Sequence, residues 1–279
     1  MDQTNTPVVA LKAIDSNLYL KIEYLNPVNS IKFRAIPKLL LQKKQDGLLK
    51  SEQIISILSA GSAALTATWT GAQLGHKVLS LLPQVTPNQI IQAIKWLGGE
   101  VIVDTEDTLI KNIKKISQDS AYYVLSQSTE QNLINFYSPI GFEIVKQIKN
   151  LSAVTIGMGT GASLTGIGRA IKEKMPHVKI FGVEPSESAV ASGNPWAPHK
   201  LIGLAPPIPQ PLLDKNIITD IITVSSEAAW EQARNTAKLT GLTVGPIVGA
   251  TILSALEIRK RGIKGNIVAI GSCSIYDYL

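Results

Sequence analysis

From Ile54 onward the chain alternates short apolar runs with helical patterns, divided at glycine-marked turns, and this alternation points to parallel strands covered by helices. Ile54 to Leu58 reads as a strand, Gly61 as a turn, the alanine-rich stretch to Leu74 as a helix stopped at Gly75, and the run through Leu82 as a second strand. The unit repeats with Thr86 as N-cap and Pro87 at the first helical position, a helix through Leu97, the pair Gly98 and Gly99, and a strand from Val101 to Val103. A third run predicts a strand at Val154 to Ile156, the loop GMGTGAS from Gly157 to Ser163, a helix to about Lys174 and a strand at Val178 to Val183. Pro195 to Pro211 reads as a long ordered loop. A strand near Ile218 to Val224, a helix from Ser225 or Ser226 to Gly241, and a last strand from Ile267 to Ile270 follow.

Before this pattern, LYLKI at 18 to 22 alternates like a half-buried strand. Asn26 and Pro27 then end it, so a turn carries Asn29, Ser30, Ile31 and Lys32 before a helical stretch around Leu39 to Leu41. With 279 residues, 45% hydrophobic and 17% charged, the chain can bury a large core and divide into two lobes with a cleft between them.

The net charge of +6 raises the question of nucleic acid, but Lys43, Lys44, Lys114, Lys115, Lys172 and Lys174 are dispersed among Glu and Gln and read as solvated surface. The single cysteine, Cys273, excludes an intramolecular disulfide and a multi-cysteine metal site, and His76, His177 and His199 lack metal-ligand spacing. The N-terminus lacks the basic start and apolar run of a signal peptide, and no apolar run approaches about 18 residues. A soluble cytoplasmic protein without membrane segments, metal or nucleic-acid partner is expected.

Gly157, Gly159 and Gly161 lie between a predicted strand and a predicted helix, where backbone amides and the helix N-terminus favour a phosphate. Two other readings compete. The glycines could serve packing alone, or Gly157, Gly159 and Ala162 could be a G-x-G-x-x-A dinucleotide fingerprint with Glu184 as the acidic ribose ligand. The dinucleotide reading leaves Lys32 unexplained and puts the cofactor unit in mid-chain.

The segment YLKIEYLNPVNSIKFRA resembles the cysteine synthase and cystathionine β-synthase family, in which a strand leads to Asn-Pro and then Ser-x-Lys-x-Arg. The resemblance runs from Thr6-Pro7 to Tyr278-Leu279 and is strongest in GMGTGASLTGIGRAIKEKMPHVKIFGVEPSES. It implies a two-domain α/β fold of the fold type II, tryptophan synthase β-like kind, with pyridoxal 5'-phosphate in the interdomain cleft. Lobes of 26 to 133, and of 1 to 25 plus 134 to 279, are expected. By the same resemblance Lys32 carries the cofactor as an internal aldimine, Gly159, Thr160, Gly161, Ala162 and Ser163 hold its phosphate, and Ser62 faces it. Ser272, Cys273 and Ser274 are candidates to meet its pyridine nitrogen, with Cys273 preferred by alignment.

The family's substrate loop, Thr-Ser-Gly-Asn-Thr-Gly, corresponds here to Ser59-Ala60-Gly61-Ser62-Ala63-Ala64, which loses an amide and two hydroxyls. Ser59, Gly61, Ser62 and Ala63, together with Gln127 of LSQST, are the expected substrate contacts. Phe33 replaces an acid after Lys32, Gly245-Pro246-Ile247-Val248-Gly249 replaces a serine-rich loop, and His199 and Gly203 fall in the segment resembling a lid. The resemblance implies a homodimeric β-replacement synthase that converts serine, O-acetylserine or O-phosphoserine through an aminoacrylate, with a small nucleophile, to cysteine or another β-substituted alanine. A β-eliminating serine/threonine dehydratase and a partner protein that keeps the cofactor without turnover are the alternatives.

Overall fold

The computed structural model describes residues 5–279, which form two largely parallel sheets flanked by helices. In chain order the elements are β1 (Val8–Ala10), β2 (Leu18–Ile22), α1 (Ile36–Gln45), β3 (Ile54–Leu58), α2 (Ser62–Leu74), β4 (Val78–Pro83), α3 (Asn88–Trp96), β5 (Glu100–Asp104), α4 (Glu106–Ile116) and β6 (Tyr122–Val124). There follow α5 (Asn132–Gln147), β7 (Leu151–Gly157), α6 (Ala162–Lys174), β8 (Lys179–Pro185), β9 (Asp220–Val224), α7 (Ser226–Thr240), α8 (Pro246–Lys260) and β10 (Asn266–Gly271). The smaller sheet has the order β5-β4-β3-β6 and the larger β1-β2-β10-β7-β8-β9; only the β1–β2 pair is antiparallel.

Local chemistry explains most boundaries. Ser225 accepts from the Ala228 amide to start α7, and Gly241, at φ +75°, ends it. Thr105 caps α4, with Glu106 and Asp107 in the first turn and Lys114 and Lys115 in the last, complementing the helix dipole. At α3 the expectation fails by one residue: Pro87 is the N-cap, no side chain caps the helix, and the Thr86 hydroxyl is buried without a partner. Helix α5 continues through Pro139. It packs so tightly on α6 that a methyl group at Gly141 would lie 2.5 Å from the Ile167 carbonyl oxygen.

Strand β2 is not half-buried as its alternation suggests. It runs between β1 and β10, and Lys21 is fully buried, its ammonium donating to Glu143 at 2.5 Å and to the Thr6 carbonyl at 2.5 Å. Glu143 also accepts a two-pronged contact from Arg34, at 2.7 and 2.8 Å. The remaining face of that guanidinium grips Glu23, fully buried, at 2.8 and 2.9 Å. Two cations and two carboxylates thus neutralise one another between β2, α5 and the turn after Lys32.

A buried ion left without its partner is costly, so Glu23→Ala is expected to lower the unfolding free energy by about 3–5 kcal/mol. Urea denaturation of the two proteins at pH 7 measures it.

Candidate active site

From β7 the chain proceeds through α6 to β8 and β9 on one side, and then returns to place β10 on the other side of β7, so the strand order reverses between β7 and β10. Such a switch point opens a crevice at the carboxyl ends of the strands, where ligands bind in open α/β sheets. The glycine loop after β7 and residues 272 to 274 after β10 flank it.

The Lys32 turn is fastened to this end of β10. Ser30 forms an antiparallel bridge with Cys273, the Ile31 amide donates to the Ser272 carbonyl at 3.2 Å, and Ser30 Oγ accepts from the Lys32 amide at 3.1 Å. On its other flank the turn meets α2, where the Phe33 and Trp69 rings stand edge to face at 5.1 Å. Lys32 is half-buried, and its ammonium has no hydrogen-bond or ion-pair partner among the described residues. Desolvation without a compensating carboxylate lowers its pKa to about 8.

The glycine loop presents donors. Gly161, at φ +94°, is the N-cap of α6 without a side-chain cap, so the first-turn amides of Ala162, Ser163 and Leu164 lack intrahelical acceptors. The hydroxyls of Thr160 and Ser163, both half-buried, have no partner among the described residues. A positive helix end with free amides and hydroxyls suits a phosphate. The dinucleotide reading fails at its acid: Glu184 is fully buried and accepts from the Ala191 amide at 2.8 Å, the Ser192 amide at 3.1 Å and the Ser192 hydroxyl at 2.5 Å.

A second uncapped helix start comes from the smaller sheet. Gly61 precedes α2, its amide 3.4 Å from Ser59 Oγ, and Ser62 and Ala63 open the helix. The Ala63 methyl is buried in the core, so only its backbone can meet a ligand. Gln127 follows β6, the neighbour of β3, and its Oε1 is buried without a partner. The smaller sheet therefore brings Ser59, Gly61, Ser62 and Gln127 to adjacent strand ends.

Cys273 is buried, with the Tyr278 hydroxyl donating to its sulfur at 3.7 Å; burial pushes the thiol up to about 12 and keeps it neutral. Beside it, Ser272 Oγ is buried and has no partner beyond the adjoining thiol. Sequence reasoning passed over this thiol's neighbours. Tyr24, whose buried hydroxyl lacks a partner, and Asp277, raised by burial to about 7, both interact with it. Asp277 and Tyr278, four and five residues after the cysteine in sequence, were the available signal, and Tyr24 had none. His199 accepts from the Leu201 amide at 3.2 Å, and burial lowers its pKa.

One desolvated lysine at a strand end, beside a donor-rich glycine loop at the next, suits an enzyme that anchors a phosphorylated carbonyl cofactor. The sequence pattern of the family described as "Pyridoxal-phosphate dependent enzyme" matches residues 1–273. A probable cysteine synthase of Bacillus subtilis is 31% identical over 271 residues, covering 92% of this chain and 87% of that protein. A hydrogen sulfide-producing enzyme from Fusobacterium nucleatum superposes with a TM-score of 0.93 at 28% identity, covering 99% of this chain and 97% of that one. An O-acetylserine dependent cystathionine beta-synthase from Helicobacter pylori does so with a TM-score of 0.90 at 26% identity, covering 99% and 94%. This chain belongs to the pyridoxal-phosphate-dependent enzyme family and has its type II fold, and the unsatisfied donors of the glycine loop fit the cofactor's phosphate. Among the described residues no helix is long and apolar enough to cross a membrane, and no group of His, Cys, Asp or Glu is arranged to hold a metal ion.

The unfolded chain keeps the Lys32 proton up to the ordinary lysine value of 10.5, whereas the folded apoprotein releases it near 8. Folding therefore releases a proton in that window, and the contribution of Lys32 to stability rises with pH across it. Lys32→Met is expected to stabilise the apoprotein by about 2 kcal/mol at pH 7, allowing for partial exposure, with a gain that shrinks from pH 8 to 10.5. Denaturant titrations of both apoproteins at a series of pH values measure it.

Proposed function

We propose that this chain is a β-replacement synthase, using pyridoxal phosphate on Lys32 to exchange the β-substituent of serine, O-acetylserine or O-phosphoserine for a small nucleophile such as sulfide, a thiol or an amine. The observation that carries the reading is the unpaired, desolvated Lys32 ammonium. When bound, the cofactor withdraws electrons from the α-carbon of an attached amino acid, which makes the α-proton acidic and lets a β-substituent leave.

The chain's own residues supply the rest. With a pKa of about 8, Lys32 holds roughly a tenth of its amine neutral at pH 7, so this residue would hold the cofactor's carbonyl carbon and its amine would serve as base for the substrate's α-proton. Backbone amides of Gly159, Thr160, Gly161, Ala162 and Ser163, with the Thr160 and Ser163 hydroxyls, hold the phosphate. Cys273, neutral to about 12, places no negative charge at the pyridine nitrogen, which favours loss and replacement at the β-carbon over amino-group transfer. Ser59, Gly61, Ser62, Ala63 and Gln127 receive the substrate carboxylate, and Ser62 also faces the cofactor. Lobes of 26 to 133 and of the remaining residues, a homodimer and residence in the cytoplasm belong to the same reading.

Visible absorption tests it. Purified protein with pyridoxal phosphate is expected to show the band of a lysine-bound cofactor, absent in Lys32→Ala; no band in either protein removes the assignment. Product analysis with serine, O-acetylserine and O-phosphoserine, with and without sulfide, then separates replacement from release of keto acid and ammonia.

The Ser59 to Ala64 loop favours a second reading, a protein that keeps the cofactor without turnover, because side-chain donors are missing from it. If the loop only weakens carboxylate binding, Ser62→Asn adds one amide and is expected to raise kcat/KM by about tenfold. Wild-type turnover with any of the three substrates removes the non-catalytic reading.

A further inference from the structure

The glycine loop does not hold its own shape. Residues 201 to 214 cross over it, and a methyl group at Gly159 would lie 2.5 Å from the Gly203 carbonyl oxygen, while one at Gly161 would lie 2.5 Å from the Leu213 nitrogen. The crossing segment also bonds the loop directly. The Ala205 amide donates to the Met158 carbonyl at 2.9 Å, and Gln210 Nε2 donates to the Gly159 carbonyl at 2.5 Å. Ala205 adopts φ +40°, an unusual backbone for alanine, at the residue that makes the first of these bonds.

In a trans peptide the carbonyl and the following amide point in opposite directions, and the described chain has no cis peptides. Binding the Met158 carbonyl therefore turns the Gly159 amide away from the crossing segment. Binding the Gly159 carbonyl does the same for the Thr160 amide. These are the amides that precede the uncapped start of α6, so the side that remains to them is the anion site.

We propose that Gln210 is a positioning residue for the cofactor phosphate, aiming the Thr160 amide by holding the carbonyl of the same peptide. The inference rests on the phosphate assignment made under the proposed function. Gln210 is itself anchored to the helix it serves. The Leu213 amide donates to the Gln210 carbonyl at 3.0 Å, Thr165 Oγ1 donates to the Leu212 carbonyl at 2.7 Å and accepts from the Asp214 amide at 2.9 Å, and Arg169 pairs with Asp214 at 2.7 Å. A brace tied to α6 cannot drift relative to the amides at its start. Among the described residues the glutamine carries only this one side-chain hydrogen bond, so its removal changes the aim of a peptide without opening the core.

The test compares dissociation constants of pyridoxal phosphate and of pyridoxal, which lacks the phosphate, for the apoproteins of wild type, Gln210→Leu and Gln210→Glu. Wild type is expected to prefer pyridoxal phosphate. Gln210→Leu should weaken pyridoxal phosphate binding about three- to tenfold and leave pyridoxal unchanged. Gln210→Glu, equal in size, should weaken it at least as much, because its carboxylate meets a carbonyl oxygen and repels a phosphate. A general loss of structure would weaken both ligands alike, and an unchanged ratio of the two affinities in either variant overturns the role of Gln210. A wild type without preference for the phosphorylated form overturns the phosphate assignment itself, and this inference with it.

Discussion

Arg34 commits both faces of its guanidinium to buried carboxylates, Glu23 on one side and Glu143 on the other, and the position of the site follows from that commitment. Its planar fork can satisfy two carboxylates at once, which a lysine ammonium cannot match in geometry. Glu23 continues β2, Glu143 lies on α5, and Arg34 closes the turn that begins at Lys32. The ion pairs therefore join the larger sheet, a helix that covers it and the residues leading to the smaller sheet. Lys21 completes the charge balance, so the cluster is close to neutral and its desolvation is offset by short contacts. Removing Lys32 from water without a partner is tolerable only because the turn carrying it is fixed this firmly.

The electrostatics of the crevice then divide into complementary parts. The starts of α2 and α6 offer positive dipole ends with no side-chain cap, and Lys32, lowered to about 8, adds most of a positive charge at neutral pH. On the β10 side Cys273 stays neutral because burial disfavours its thiolate. The site thus attracts anions through backbone dipoles and the Lys32 ammonium, while a minor neutral fraction of that amine is available for proton transfer.

Much of this was legible in the chain. Glycines at 75 and 241 mark helix ends because they take positive φ, and Ser225 and Thr105 sit where orphan amides need acceptors. The glycine loop was visible from the βαβ pattern, and the turn carrying Lys32 from Asn26 and Pro27 at the end of β2. What escaped depends on partners distant in sequence. Lys21 reads as the polar residue of a half-exposed strand, and nothing local announces Glu143, 122 residues away. The role of Gln210 is hidden in the same way, since its side chain bonds a backbone carbonyl 51 residues earlier.

The altered substrate loop loses less than a residue-by-residue comparison suggests. A hydroxyl or amide belongs to its side chain and disappears with it, so Ser62, Ala63 and Ala64 leave fewer side-chain donors at the start of α2. The free amides of that first turn belong to the backbone, and they survive any substitution that preserves the helix. Ala63 and Ala64 do preserve it, with methyl groups packed into the core beneath the turn. Attraction of a carboxylate by helix dipole and amides can therefore persist at the start of α2 while side-chain donors there are fewer.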